Sequence, residues 1–288
     1  MQAPLPTFII CGAPKAGTTS LYHYLSQHPE VCMSSIKETD FFQHNYGKGL
    51  SWFKSLYEHY NGEKAIGEVS PGNMITPEAP QRIHDFIPDA KLIFILRDPI
   101  DRIWSHFQFE KYRGLIDPVE TFAGFLSSPQ KYPFLERYKQ LGFYYNQLKE
   151  YQQFFSPEQM LILQYEDFKE DPTSFVNCIL GFIGVNQIEQ LDFSERKNTT
   201  KELRFKRVYS ILRKVAKPLK YILTDNPENK LWWSVKSGIR DLFLSKGKRK
   251  DVPDEESIKY LISLYKDQVQ ALQQEMKIDV SKWRYLHG

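Results

Sequence analysis

The segment "TFIICGAPKAGTTSLYHYLSQHP" near the start of the chain constrains the fold more than any other. Phe8, Ile9, Ile10 and Cys11 are β-branched, aromatic or small and apolar, a composition that predicts a short strand buried on both faces of a parallel sheet. A tight loop starts at Gly12. After Gly17 the apolar residues Leu21, Tyr24 and Leu25 recur at helical spacing, with the hydroxyls of Thr18 and Thr19 at the helix start. Strand, glycine loop and helix in that order turn backbone N–H groups and the positive end of a helix dipole toward one point, which suits a phosphate-like anion.

The nucleoside-triphosphate version of such a loop carries a lysine after its second glycine, reaching the β- and γ-phosphates, and then a hydroxyl for magnesium. Here Gly12 to Thr19 reads "GAPKAGTT": Thr18 stands where that lysine belongs, and the lysine of the loop is Lys15. A kinase or ATPase loses its main cation by this exchange. A glycine turn that binds nothing gives no reason for a lysine inside the turn.

A second strand-to-helix junction lies in "KLIFILRDPIDRIWSHF". Leu92 to Leu96 is another buried-strand run, Asp98 and Pro99 make an N-cap and first-turn pair, and Arg97 ends the strand. Ser105 follows two turns into the helix, where an arginine at a strand tip and a helix hydroxyl can clamp one phosphate. Taken alone, "RDP" also reads as an ordinary ion pair at a helix start.

At 288 residues the chain is long enough for one large α/β domain with helical additions. Its 41% hydrophobic and 25% charged residues are those of a soluble globular protein, and a net charge of +3 argues against a nucleic-acid-coating tail. The start, "MQAPLPTFIICG", has no positive n-region, and no segment is long and apolar enough for a membrane span, so a cytoplasmic protein is expected. Cys11, Cys32 and Cys178 are few, widely spaced and set in apolar surroundings, which predicts buried free thiols, and the histidines show no metal-ligand spacing. Residues 5–110 look rich in βα units, and 111–200 mainly helical around the strand "QMLILQY" and the turn "FIGV". Residues 201–250 are basic, with "RFKRVYSILRKVAKPLK" and "SKGKRK", and an amphipathic helix is predicted over about 254–276.

With "KETDFF" between the two junctions, the chain resembles the sulfotransferases that use 3'-phosphoadenosine 5'-phosphosulfate (PAPS), nearest in motifs to the bacterial and heparan-sulfate-type branch, and the match runs nearly end to end. The resemblance implies an α/β, P-loop-like parallel sheet flanked by helices, as a single domain over 1–288. It also implies that "PKAGTT", with Lys15, Ala16, Gly17, Thr18, Thr19 and the amide of Ser20, wraps the 5'-phosphosulfate, and that Arg97 and Ser105 hold the 3'-phosphate. "LGFYYNQLKEYQQFFSPEQMLILQYEDFKEDP" is similar to the family's helix and strand ending in Tyr-Glu-Asp. "SKGKRKDVP" resembles its basic loop over the nucleotide, giving Lys246, Gly247 and Lys248 as further contacts, although a lysine run read alone is a solvated loop.

Sulfuryl transfer needs an in-line nucleophile, neutralised oxygens and help for the leaving group, with little covalent work by the protein. Lys15 is expected to stabilise the leaving oxygen. Glu38 matches the carboxylate assigned as general base in heparan-sulfate-type enzymes, a role that burial would favour by raising its pKa, and Lys37 becomes a second cation; without the resemblance, Glu38 reads as an exposed acid paired with Lys37. Glu68 is a second acid, followed by Val69 where the glycan-modifying branch has a lysine, and it is a candidate to orient Lys15 or the acceptor. His44, His59 and His106 are weaker base candidates. The aromatics of "FFQHNYGKGLSWFKSLYEHY" read either as a cleft wall for a ring-bearing acceptor or as core. The expected activity is transfer from PAPS, without a metal, to a hydroxyl or amine of a small-molecule, lipid or saccharide acceptor. The competing class is a non-sulfating adenosine-phosphate binding protein or a degenerate P-loop kinase.

Overall fold

The computed structural model describes residues 4–189, 202–203, 244–245 and 252–286. The basic segment 204–220 and the loop residues Lys246, Gly247 and Lys248 lie outside the described residues. Two compact units are distinguished: the first takes in Met1–Ile103, Arg137–Lys197 and Leu261–Gly288, the second Trp104–Glu136 and Asn198–Tyr260.

The first unit is an α/β layer fold. Its strands are β1 (Phe8–Gly12), β2 (Val31–Met33), β3 (Ala65–Val69), β4 (Lys91–Leu96) and β5 (Met160–Gln164), in the order β2-β3-β1-β4-β5. Every pairing is parallel, with Ile10 opposite Val69 on one side and Ile93 on the other, and Leu92 opposite Met160. The strand runs predicted at the two helix junctions are the adjacent strands β1 and β4, where Phe8, Ile9, Ile10, Leu92, Ile93, Phe94 and Ile95 are all fully buried, and the predicted run "QMLILQY" forms β5 beside them. Each such side chain contributes roughly 1.5 to 3 kcal/mol of hydrophobic stabilisation, so these strands anchor the core.

Helices follow the strands. Between β1 and β4 come α1 (Thr18–Ser26), α2 (Gly49–Ser55) and α3 (Ala79–Phe86), and α1 buries Leu21, Tyr24 and Leu25, the face expected from their spacing. Asp98 caps α4 (Pro99–Arg113), its Oδ1 accepting from the amides of Ile100 at 2.8 Å and Asp101 at 3.2 Å. After α5 (Phe122–Leu126) and α6 (Leu135–Gln140), α7 (Tyr144–Gln152) buries Tyr144, Leu148 and Tyr151. Beyond β5 come α8 (Tyr165–Glu170) and α9 (Pro172–Ile183), the latter ending at Gly184, whose φ of 84° is left-handed, in the predicted "FIGV" turn. The last described helix, α10 (Glu255–Gln274), lies within the predicted range and buries Leu261, Tyr265, Val269 and Leu272 along one face.

In the second unit Trp104, Phe107, Phe122, Phe125 and Tyr132 form a ring cluster, with Trp104 and Phe122 edge to face at 5.0 Å. The Thr121 hydroxyl caps α5 by accepting from the Gly124 amide. The second unit also holds a two-stranded antiparallel pair, β6 (Glu202–Leu203) and β7 (Leu244–Ser245), and the start of α10.

One thiol departs from expectation. Cys11 and Cys32 are buried, but Cys178 is exposed, because the inward face of α9 is Phe175, Val176, Ile179, Leu180 and Ile183, and residue 178 falls outside that stripe.

Candidate active site

The five strands of the first unit are parallel, so the segments that leave their C-terminal ends all emerge at one edge of the sheet, the usual location of ligand sites in open α/β folds. Those segments carry the anion loop after β1, the "KETDFF" loop after β2, Ser70 after β3, Arg97 after β4 and Tyr165 after β5.

In the anion loop Gly17 is the N-cap of α1 at φ 85°, and no side chain caps the helix. The first intrahelical bond runs from the Leu21 amide to the Gly17 carbonyl at 3.2 Å, so the amides of Thr18, Thr19 and Ser20 have no acceptor within the helix. A Cβ on Gly17 would meet the rings of Tyr165 and Phe168 at 3.1 Å, so conformation and space both require glycine there. Lys15 has φ 73°, a left-handed conformation that costs a side-chain-bearing residue on the order of 1 kcal/mol. Three bonds hold the loop in that shape: Ala13 N–H to the Ile95 carbonyl at 2.9 Å, Ala16 N–H to the Ala13 carbonyl at 3.2 Å, and Arg97 Nη1 to the Lys15 carbonyl at 2.7 Å.

Arg97 is only 7% exposed. Its guanidinium lies 4.8 Å over the Tyr165 ring, its carbonyl accepts from the Tyr144 hydroxyl at 2.9 Å, and its Nε is buried with no hydrogen-bond partner. The neighbouring Asp98 carboxylate is given to amides, those of α4 and that of Tyr285 at 2.8 Å, so "RDP" is a strand-tip arginine followed by a helix cap. Tyr165 and Phe168 were not singled out from the sequence; the "QYEDF" stretch was the available signal.

Lys37 and Glu38 form an ion pair, with side-chain exposures of 18% and 49%. Glu38 has φ 60° and Asp40 φ 49°, and the Glu38 amide donates to the Val69 carbonyl at 3.0 Å. Burial, the condition attached to Glu38 as a base, is met instead at Glu68. That side chain is fully buried in β3, and desolvation pushes its pKa up to about 7, against the lowering effect of its hydrogen bonds from Ser70 and Thr39. Ser70 Oγ donates to Glu68 Oε1 at 2.6 Å and Thr39 Oγ1 donates to the same oxygen, while Oε2 is buried without a partner. Burial also pushes the Cys11 thiol up, with the Glu68 charge adding to the effect.

His59 is committed locally: its Nε2 lies 2.9 Å from the Met33 carbonyl and 3.5 Å from Cys32 Sγ. His44 is exposed, and Ser105 and His106 are buried within the second unit. The "FFQHNYGKGLSWFKSLYEHY" aromatics divide, with Phe41, Phe42, Phe53 and Tyr57 fully buried and Phe41 stacked on Phe53 at 4.2 Å. These four belong to the core, leaving Tyr46, Trp52 and Tyr60 as the half-buried rings, with Arg82 over Tyr46 and Lys48 over Trp52. Among the described residues no helix is long and apolar enough to cross a membrane.

A parallel sheet with a glycine anion loop, a lysine inside that loop and an arginine at the adjacent strand tip defines an α/β protein of the phosphate-loop class. The chain belongs to the sulfotransferase domain family, which matches residues 5–217. It is 27% identical over 281 residues to the mouse bifunctional heparan sulfate N-deacetylase/N-sulfotransferase 4, a match covering 91% of this chain and 29% of that protein. It is 31% identical over 191 residues to the human heparan sulfate glucosamine 3-O-sulfotransferase 3B1, covering 64% of this chain and 47% of that protein. The chain thus spans less than half the length of these two relatives. In fold it resembles a sulfotransferase from Alicyclobacillus acidocaldarius, with a TM-score of 0.69 at 24% identity, covering 98% of this chain and 99% of the other.

Proposed function

We propose that the chain transfers a sulfuryl group from PAPS to a hydroxyl or amine of a saccharide or small-molecule acceptor. The observation that carries this reading is the convergence, in a member of the sulfotransferase family, of the Lys15 loop, Arg97 and the Lys37–Glu38 pair on one edge of the sheet. The relatives named for heparan sulfate N- and 3-O-sulfation support a saccharide hydroxyl or amine as the acceptor group.

The residues suit the donor. The uncapped amides of Thr18, Thr19 and Ser20, the Thr18 and Thr19 hydroxyls and the turn of Ala16 and Gly17 match a 5'-phosphosulfate, and the partnerless buried Nε of Arg97 matches a phosphate oxygen at the 3' position. PAPS supplies the sulfuryl group. Lys15 places its ammonium where charge grows on the leaving oxygen, Lys37 neutralises the sulfuryl oxygens, and Glu38 takes the acceptor's proton when the acceptor displaces its pairing with Lys37. Ser105, Lys246, Gly247 and Lys248 enter the proposal on the sequence resemblance alone. No metal ion enters it, because Lys15, Lys37 and Arg97 supply the cations and a sulfuryl group carries less charge than a γ-phosphoryl group. Incubation with labelled PAPS and a panel of saccharides, alcohols, phenols and amines, read by the mass gain of one sulfuryl group, tests the reading; label transfer from ATP in place of PAPS would support the kinase class instead.

A further inference from the structure

A carboxylate buried without a cation is an unfavourable way to fill a core position, and an apolar residue of similar volume would serve packing better. Glu68 is such a carboxylate. The titratable groups facing it are the Cys11 thiol from β1, the Tyr57 and Tyr151 phenols, and Asp40 from the loop after β2. What Glu68 does have is two hydroxyls converging on one oxygen, Oε1: Thr39 in the loop after β2, and Ser70, which follows β3 and is bonded to that loop through the Asp40 amide.

The bonds continue outward in a consistent sense. Thr39 gives its only hydroxyl proton to Glu68, so its oxygen is oriented to accept, and it accepts from the Phe41 amide at 3.2 Å. Ser70 likewise gives its proton to Glu68 and accepts from the Asp40 amide at 3.2 Å. The Glu38 amide is held by the Val69 carbonyl, the residue after Glu68. Glu38 and Asp40, on either side of the fully buried Thr39, both have left-handed backbones, conformations that persist only where the surroundings over-determine them.

We propose that Glu68 is a positioning residue for the sulfuryl-transfer site: its Oε1 gathers the Thr39 and Ser70 hydroxyls and through them fixes the loop that presents Lys37 and Glu38. This rests on the reading of that loop as part of the transfer site, but its structural half does not. Glutamine keeps the Oε1 acceptor, alanine removes it, and Thr39→Val removes one hydroxyl while leaving Glu68 in place.

The test combines hydrogen exchange of residues 34–43, calorimetric binding of adenosine 3',5'-bisphosphate, and steady-state kinetics with PAPS on the full chain carrying Glu68→Ala, Glu68→Gln, Thr39→Val or Thr39→Ser. In Glu68→Ala and Thr39→Val the Asp40 and Phe41 amides should exchange at least tenfold faster, while exchange in β1 and β4 and nucleotide affinity stay within about threefold of wild type. Turnover should fall by about 10 to 100-fold with little change in the KM for PAPS, since small misplacement of a reacting group costs that much. Glu68→Gln and Thr39→Ser should restore loop protection and most of the turnover. Unchanged loop exchange in both Glu68→Ala and Thr39→Val overturns the positioning role, and so does loss of protection throughout β1 and β4, which marks a general core residue. Faster loop exchange in a protein whose wild type transfers nothing from PAPS leaves the loop anchor standing and overturns its catalytic purpose together with the sulfotransferase reading.

Discussion

The Arg97 guanidinium lies over Tyr165 and donates to the Lys15 carbonyl, yet keeps a buried Nε without a partner. A charged group desolvated in this way is primed for an anion, so Arg97→Ala should weaken adenosine 3',5'-bisphosphate by about 1.5 to 3 kcal/mol, roughly 10 to 100-fold, and AMP far less. Calorimetry with both nucleotides decides it: equal losses mean that Arg97 serves only to brace the Lys15 loop. Glu68 carries a pH prediction of definite sign. Its pKa rises from 4.5 in the unfolded chain to about 7 in the fold. Below pH 4.5 both states hold the proton; as pH rises toward 7 the unfolded chain has released it and the folded chain has not, so the stability this group contributes is lost through that window and gone above it. The loss is on the order of 3 kcal/mol. Denaturant titration should therefore show wild type losing stability relative to Glu68→Gln between about pH 4.5 and 7, and parallel pH curves would show that Glu68 is not strained by burial. Neither feature of Glu68 was legible in the sequence, where "AIGEV" offers a lone acid and its partner Thr39 lies a whole strand away. Lys15, by contrast, was legible because loop, strand and helix are contiguous.

At the scale of elements, the starts of α1 and α4 position the site, and they are built differently. The amides opening α1 have no side-chain cap, which leaves them for an anion, whereas Asp98 closes the first turn of α4 and also accepts from the Tyr285 amide. Asp98→Ala should consequently cost about 0.5 to 2 kcal/mol, and more to the extent that the half-buried Tyr285 amide is left unpaired. Thermal unfolding measures it, and an unchanged Tm would mean that the cap contributes nothing. Both junctions were readable because caps, glycines and apolar runs are local signals. The exposure of Cys178 was misjudged because apolar neighbours in sequence say little about helix phase, and Phe41, Phe42, Phe53 and Tyr57 could be core or cleft until packing assigned them to the core.

At the scale of the whole molecule, strand order is what turns separate motifs into a site. The order β2-β3-β1-β4-β5 puts the Lys15 loop in the middle, Arg97 on one side of it and the Lys37–Glu38 loop beyond β3 on the other. Crossover order is a property of long-range pairing and leaves no periodic trace, so the sequence could supply the parts and, through the family resemblance, their expected roles, but not the Glu68 bridge between β3 and the loop after β2. The central claim is transfer from PAPS with Glu38 as proton acceptor, and the direct measurement is label transfer from PAPS to a saccharide panel by wild type and Glu38→Gln, with adenosine 3',5'-bisphosphate affinity measured on both. The predicted result is transfer by wild type, a loss of turnover on the order of 10² or more in Glu38→Gln, and nucleotide affinity unchanged between them. Tight nucleotide binding with no transfer by wild type to any acceptor, or full transfer by Glu38→Gln, would contradict it.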